Sequence, residues 1–214
     1  MISKKTIAIV DYGLGNLYSI SKAAQRFAKE VVITDSPNVI SSADGVIIPG
    51  VGAFAAGMRG LEERELVKIL QDLAVANKPM LGICLGAQLM LKYGFEFGKY
   101  QGLNIIPGVV KLFPTSVAAV EKIPHIGWNG VSPPIKELWN DTIFTGINNQ
   151  ANVYFVHSYI MIPDDPADVV ALAEYGGLKF CAAIKNGKVY GVQFHPEKSG
   201  EVGLSIIKNF INIC

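Results

Sequence analysis

The feature of this sequence best suited to covalent chemistry is a cysteine at a glycine-flanked turn. Gly82-Ile83-Cys84-Leu85-Gly86 follows an apolar run and precedes a helical pattern. This is a nucleophile-elbow arrangement with cysteine in place of serine. Such a turn is tight and strained, and glycines on either side let other backbone approach closely. It lifts the Cys84 sulfur to the carboxyl end of a sheet, where open α/β sheets place their ligands. The start of the following helix favours an anion at that point. The Leu85 N–H is free to stabilise an oxyanion. A buried structural cysteine in a glycine-rich turn is the other reading of these five residues.

A nucleophilic sulfur needs a base, and the chain offers His125, His157 and His195. His195 lies in Gln193-Phe194-His195-Pro196-Glu197, at the end of an apolar run. On an extended segment residues two apart point the same way, so Glu197 can orient the His195 imidazole. Pro196 keeps His195 extended. Nucleophile, base and orienting acid are then all present. A lone histidine at a strand end is more often a satisfied polar residue, and it is the carboxylate spacing together with the elbow that favours catalysis. Pro49-Gly50-Val51-Gly52-Ala53-Phe54 supplies a third element, a turn whose glycines could aim backbone N–H groups at a developing oxyanion. Its plainer reading is an ordinary strand-to-helix turn. No Gly-Lys-Ser/Thr follows it, so it is a poor phosphate loop. Asp11-Tyr12-Gly13-Leu14-Gly15-Asn16 lacks the third glycine of a dinucleotide fingerprint.

The elements that must hold these residues read as an α/β fold. Residues 6–10, 31–34, 45–48 and 79–83 are short strand candidates, and helical spacing marks 16–29, 61–75 and 87–93. The strands lack polar alternation, as expected when both sheet faces are covered. This alternation predicts a central, mostly parallel sheet with helices on both faces. The second half is strand-rich: 109–113, 127–131, 153–160, 169–175, 181–185 and 189–194, with a hairpin turn at Asn186-Gly187. These strands should extend or flank the sheet in an antiparallel part. A helix over 202–213 follows. A single domain over residues 1–214 is expected.

Composition narrows the function classes. Of 214 residues, 50% are hydrophobic and 17% charged, which excludes a disordered chain. A formal net charge of +1 and the absence of a basic run give no field for nucleic acid or an anionic membrane. The apolar stretch over 45–58 is broken by Pro49 and glycines and is too short to span a bilayer. The N-terminal run ends at Asp11 without a small-residue cleavage site and reads as a first strand. Three cysteines, Cys84, Cys181 and Cys214, give neither a disulfide framework nor a metal pair. A cytoplasmic protein with reduced thiols is expected.

The motifs at residues 49–52, 82–88 (GICLGAQ) and 193–197 (QFHPE) resemble those of class I glutamine amidotransferases in order and spacing. DYGLGN (11–16), PGVGAF (49–54), PHIGWN (124–129), YFVHSY (154–159) and HPEKSG (195–200) are similar to the glutaminase subunits of imidazole glycerol phosphate synthases. The resemblance spans nearly the whole chain and departs at no catalytic position. It implies that Cys84 attacks the glutamine side-chain amide, His195 relays the proton to the leaving ammonia and Glu197 orients His195. It also implies a glutamyl thioester, an oxyanion site at Val51, Gly52 and Leu85, and substrate contacts from Gln88, Ser158 and Tyr159. Gln88 could instead be a helix-surface residue, and Ser158 and Tyr159 mere strand residues. The family's partner is a (β/α)8 cyclase subunit that receives the ammonia, with no cofactor in the glutaminase. Asn16, Trp128 and Asn129 would face it, and Lys198 would pair with one of its carboxylates. Trp128 as a core aromatic and Lys198 as a solvated lysine are the plainer readings. An amidotransferase subunit for another partner, such as one forming an amidine on a cell-surface sugar, would have the same chemistry. A free-standing thiol hydrolase and a non-catalytic binding module are the more distant alternatives.

Overall fold

A computed structural model of the chain describes residues 4–114, 122–135 and 137–214. The first half alternates as expected: β1 (Thr6–Val10), α1 (Leu17–Ala24), β2 (Glu30–Thr34), α2 (Pro37–Ser42), β3 (Gly45–Ile48), α3 (Phe54–Glu63), α4 (Leu66–Val75), β4 (Met80–Ile83) and α5 (Leu85–Leu89). Strands then dominate: β5 (Leu91–Gly94), β6 (Tyr100–Gln101), β7 (Ile106–Leu112), β8 (His125–Val131), β9 (Ala151–His157), β10 (Tyr159–Pro163), β11 (Val169–Tyr175), β12 (Leu178–Asn186) and β13 (Val189–Val192). The closing helix is α6 (Gly200–Ile213).

The main sheet runs β2-β1-β3-β4-β13-β12-β10-β7-β5-β6, with β11 paired to β12. Its first five strands are parallel throughout. From β12 to β7 it is antiparallel, so the strand-rich half does extend the sheet. β8 and β9 form a separate antiparallel pair that flanks it. Side-chain alternation along β1 explains the two cores. Ile7 and Ile9 pack with residues of α1, α6, β8 and β9 on one face. Ala8 and Val10 pack with residues of α2, α3, α4 and α5 on the other. Both faces are buried, as the apolar strands required.

Several boundaries differ from the sequence expectation, and four of these have a clear physical reason. The helix expected over 61–75 is two helices, broken where Glu65 takes φ 56°. Leu61 and Leu66 are both fully buried, yet five residues along one helix turn a side chain by about 140°. Only a break lets both face the sheet. The helix expected over 87–93 ends at Leu89, because β5 pairs with β7 and β6. The helix expected over 16–29 ends at Ala24, where the chain turns back into β2. The strand expected over 153–160 is two strands in different sheets, β9 and β10, with Ser158 at the corner. One apolar run serves two cores, and composition carries no mark of the switch.

The topology places the chemical motifs together. β3, β4 and β13 are neighbours in the parallel part. The 49–54 loop follows β3, Cys84 follows β4, and His195 lies just past β13. Val192 sits beside Ile83 in register, and the Cys84 N–H donates to Val192 O at 2.8 Å. Gly86 presses against β3: a Cβ there would overlap Ile48 O. Gly86→Ala should therefore lower stability by about 1–3 kcal/mol or more, read as a lower denaturant midpoint at unchanged slope. An unchanged midpoint would show that the close approach of the two turns is not rigid.

Candidate active site

Cys84 adopts φ 52°, ψ −110°, a strained conformation for a residue bearing a Cβ. The turn is held on every side. Its N–H is tied to β13, and its C=O accepts from Ala87 N and Gln88 N, each at 3.1 Å. A Cβ on Gly82 would lie 2.7 Å from Ala87 Cα, so both flanking glycines are required by backbone approach. Opposite the elbow, the Tyr12 hydroxyl donates to Pro49 O at 2.5 Å and fixes the second turn from below.

His195 Nδ1 lies 2.8 Å from Glu197 Oε1, and both side chains are only 3% exposed. A carboxylate there makes Nδ1 the donor and leaves Nε2 for the sulfur. The local geometry differs from the expected extended segment. His195 is extended, but Pro196–Lys198 forms a 3₁₀ turn, and Glu197 reaches back from it. The Ser199 hydroxyl locks this turn, donating to His195 O at 2.6 Å and accepting from Tyr154 N at 2.9 Å. Burial works against a charged imidazole here. Cys84 beside the ring and the Glu197 carboxylate bonded to Nδ1 outweigh it and push His195 up to about 9. His195 Nε2 and Glu197 Oε2 are nevertheless buried without a hydrogen-bond partner. By geometry the imidazole–sulfur bond is therefore not closed, and the Glu197 bond is the formed link. The thiol lies 3.9 Å from Val156 O.

The backbone N–H groups expected to serve as oxyanion donors are turned away. Leu85 N–H points at Gly50 O, 3.4 Å distant. In a trans peptide the C=O and the following N–H point in opposite directions. The Val51 N–H therefore faces away from the elbow. Gly52 at φ 114° sits next to this peptide, with little around its missing Cβ.

A cavity of about 280 Å³ opens beside the sulfur. Val51, Gly52, Leu85, Gln88, Ser158 and Tyr159, all singled out in the sequence, line it with Cys84. Gln88 is buried rather than on a helix surface. Sequence reading missed Glu96, Pro124, Val156 and His157 on the same wall. The Glu96 Oε2 accepts the Phe54 N–H at 2.6 Å. Burial, and then the Glu96 charge, raise the Tyr159 phenol.

A second, much smaller cavity of about 10 Å³ lies on the other side of the imidazole, against Asn16, Val51, His195 and Glu197. Asn16 caps α1, accepting from Ser19 N at 3.2 Å. Trp128 is 58% exposed and so is not a core aromatic. It lies opposite Tyr154 in the β8–β9 pair, and the exposed Lys198 holds its Nζ 5.9 Å from the Tyr154 ring. Trp128, Tyr154 and Lys198 form one surface patch. Asn129 points to the other face, donating to Glu174 O at 2.6 Å. Among the described residues no His, Cys, Asp and Glu group is placed to hold a metal ion, and no helix is long and apolar enough to cross a membrane.

Comparison with known proteins agrees with this geometry. The family model for "Glutamine amidotransferase class-I" matches residues 8–214. The chain is 46% identical to "Imidazole glycerol phosphate synthase subunit HisH 1" of Legionella pneumophila (strain Paris), over 97% of this chain and 99% of that one. It is 45% identical to "Imidazole glycerol phosphate synthase subunit HisH" of Moorella thermoacetica, over 96% of this chain and 94% of the relative. Among solved structures, PurLQS from Thermotoga maritima superposes with a TM-score of 0.72 at 19% identity, covering 99% of each chain, a likeness of fold. With a strained cysteine elbow, a buried histidine–glutamate pair and this match across almost its whole length, the chain belongs to the class I glutamine amidotransferases.

Proposed function

We propose that this chain is the glutamine-hydrolysing subunit of an imidazole glycerol phosphate synthase, acting in histidine biosynthesis. The observation that carries the reading is the closed His195–Glu197 pair beside the Cys84 elbow, at the ends of neighbouring parallel strands. Relatives at 45% and 46% identity bear the HisH name.

Glutamine enters the cavity with its side-chain amide at Cys84. Glu96 and the Ser158–Tyr159 corner hold its amino-acid end. The sulfur attacks the amide carbon, and the C–N bond breaks as His195 gives its proton to the departing nitrogen. Ammonia leaves and a glutamyl thioester remains on Cys84. Water, giving a proton to the now neutral His195, attacks the thioester and releases glutamate. A His195 held up to about 9 carries the proton that the leaving group needs at neutral pH. Glu197 keeps the ring in the correct tautomer.

The ammonia passes to a cyclase subunit, a (β/α)8 barrel forming a heterodimer with this chain. Asn16, Trp128 and Lys198 are assigned to that partner's side, and the Trp128–Tyr154–Lys198 patch supports the assignment; the Asn129 side chain turns to the other face, so its assignment lacks that support. With the Val51 N–H turned out and Leu85 N–H facing Gly50 O, the free subunit is held off. Rotation of the Gly50–Val51 peptide when partner and ligand bind releases Leu85 N–H and brings the Val51 N–H inward. One oxyanion donor is worth about 3–4 kcal/mol, or a hundred- to a thousandfold in rate.

Cys84→Ala should lower glutamine hydrolysis by roughly 10⁴-fold or more. It should spare the cyclase reaction when an ammonium salt replaces glutamine. Near-wild-type glutaminase activity in this variant would refute the assignment. For Glu197→Gln the expected loss in turnover is smaller, because an orienting group is removed rather than the nucleophile. With the carboxylate charge gone and only Cys84 left to raise it, His195 should titrate below about 9. NMR of the imidazole carbons reads this directly. An unmoved midpoint would show that Glu197 does not set the histidine's charge.

A further inference from the structure

A side-chain amide buried against a sheet needs a reason, since a leucine would pack there with no polar ends to satisfy. Gln193 is 0% exposed. Its backbone N–H goes to Ala182 O at 2.9 Å. Its side chain lies between two residues of the site. Oε1 is 3.0 Å from Gln88 Nε2, and Nε2 is 3.8 Å from Cys84 Sγ. The latter suits an N–H···S bond, which is longer than N–H···O because sulfur is larger.

One backbone carbonyl dictates which way these groups face. Tyr159 O can only accept, so the Gln88 atom 3.2 Å from it is the Nε2 donor. The second Nε2 hydrogen points at Gln193, whose facing atom must accept and is therefore Oε1. Gln193 then has only its own N–H groups to turn toward Cys84. The same carbonyl orders a second chain. His157 Nδ1 lies 2.9 Å from Tyr159 O and carries the proton. Burial leads the effects that push His157 down to about 3, so the ring is neutral and its Nε2 accepts. His125 Nδ1, 3.1 Å from that Nε2, must donate. Imidazole and amide chains thus converge on Tyr159 O, and neither has a free choice of orientation.

Two consequences follow. Both Nε2 hydrogens of Gln88 are consumed inside the protein, so Oε1 is the side-chain polar atom left for the cavity it lines. It is an acceptor, suited to a substrate N–H. At the other end of the chain, Gln193 supplies the sulfur with a donor that does not depend on His195.

We infer that Gln193 is a positioning residue for glutamine hydrolysis: anchored through Gln88 to the Tyr159 carbonyl, it aims an N–H at the Cys84 sulfur and keeps the Gln88 carbonyl turned to the substrate. The inference rests on the reading of Cys84 as the glutaminase nucleophile. The oriented N–H stabilises negative charge on the sulfur as it forms. The locked Gln88 lowers the cost of ordering that side chain when substrate binds.

Gln193→Met tests this, because methionine is of similar length, adapts to apolar surroundings and removes both polar ends. Gln193→Leu is the second variant, for the case in which methionine packs badly. Each is assayed in two forms: the free chain, for the rate of Cys84 alkylation by iodoacetamide at one neutral pH, and the complex with the cyclase and its nucleotide, for kcat and KM. The thermal midpoint should stay within a few degrees of wild type. Alkylation of Cys84 should slow about tenfold, kcat should fall by a similar factor, and KM for glutamine should rise several-fold as Gln88 loses its tether. A variant that alkylates and turns over like wild type overturns the inference and leaves the triad reading intact. So does one that loses only thermal stability. A wild-type complex that fails to hydrolyse glutamine, or a wild-type Cys84 that is not alkylated, would count against the functional reading itself.

Discussion

The site depends on the contact between two strand-to-helix turns. Gly86 lies so close to Ile48 O that no side chain fits between them. Gly50 is equally confined, since a Cβ there would overlap the Tyr12 hydroxyl. This contact presses the cysteine elbow against the 49–52 loop and helps hold Cys84 at φ 52°. The strain at one residue persists because neighbouring backbone leaves it nowhere to relax. The parallel register of β4 and β13 then brings in the histidine. Sheet order and two glycines, more than any single polar contact, put Cys84, His195 and the 49–52 loop within one site.

The two buried histidines near the sulfur are shifted in opposite directions. His195 and His157 are both buried, and burial alone disfavours a charge on either. His195 has Glu197 and Cys84 for company and is pushed up to about 9. His157 has no carboxylate beside it; burial, helped by His125 and His195, outweighs the Tyr159 carbonyl and pushes it down to about 3. One ring therefore carries a transferable proton near neutrality and the other serves as a fixed neutral connector. Their environments set them apart, and that separation supports the catalytic role proposed for His195.

Much of this was legible in the sequence. The elbow, the His195–Glu197 pair, the substrate-wall residues and the parallel sheet all rest on local patterns: glycine spacing, a carboxylate two residues from a histidine, unbroken apolar strands. What escaped was set by tertiary packing. Glu96 gave no local signal, because its placement comes from a hydrogen bond with Phe54, 42 residues away in the chain. Ser158 looked like mid-strand, because a run of apolar residues does not record that its halves join different sheets. Glu65 breaks a helix whose apolar spacing looked continuous until the phase of Leu61 and Leu66 is compared. Gln193 was visible as part of a motif, but its orientation follows only from the position of the Tyr159 carbonyl.

In this conformation Cys84, the His195–Glu197 pair and the cavity are in place, but Leu85 N–H faces Gly50 O and Val51 N–H points away. The account therefore makes the peptide between Gly50 and Val51 the switch, with catalysis withheld until it turns. The direct test is the rate of glutamine hydrolysis by the isolated chain, set against the same chain saturated with its cyclase and the cyclase's nucleotide. The account predicts a rise of at least about a hundredfold, the worth of an oxyanion donor. An isolated chain that already hydrolyses glutamine as fast as the complex would contradict it.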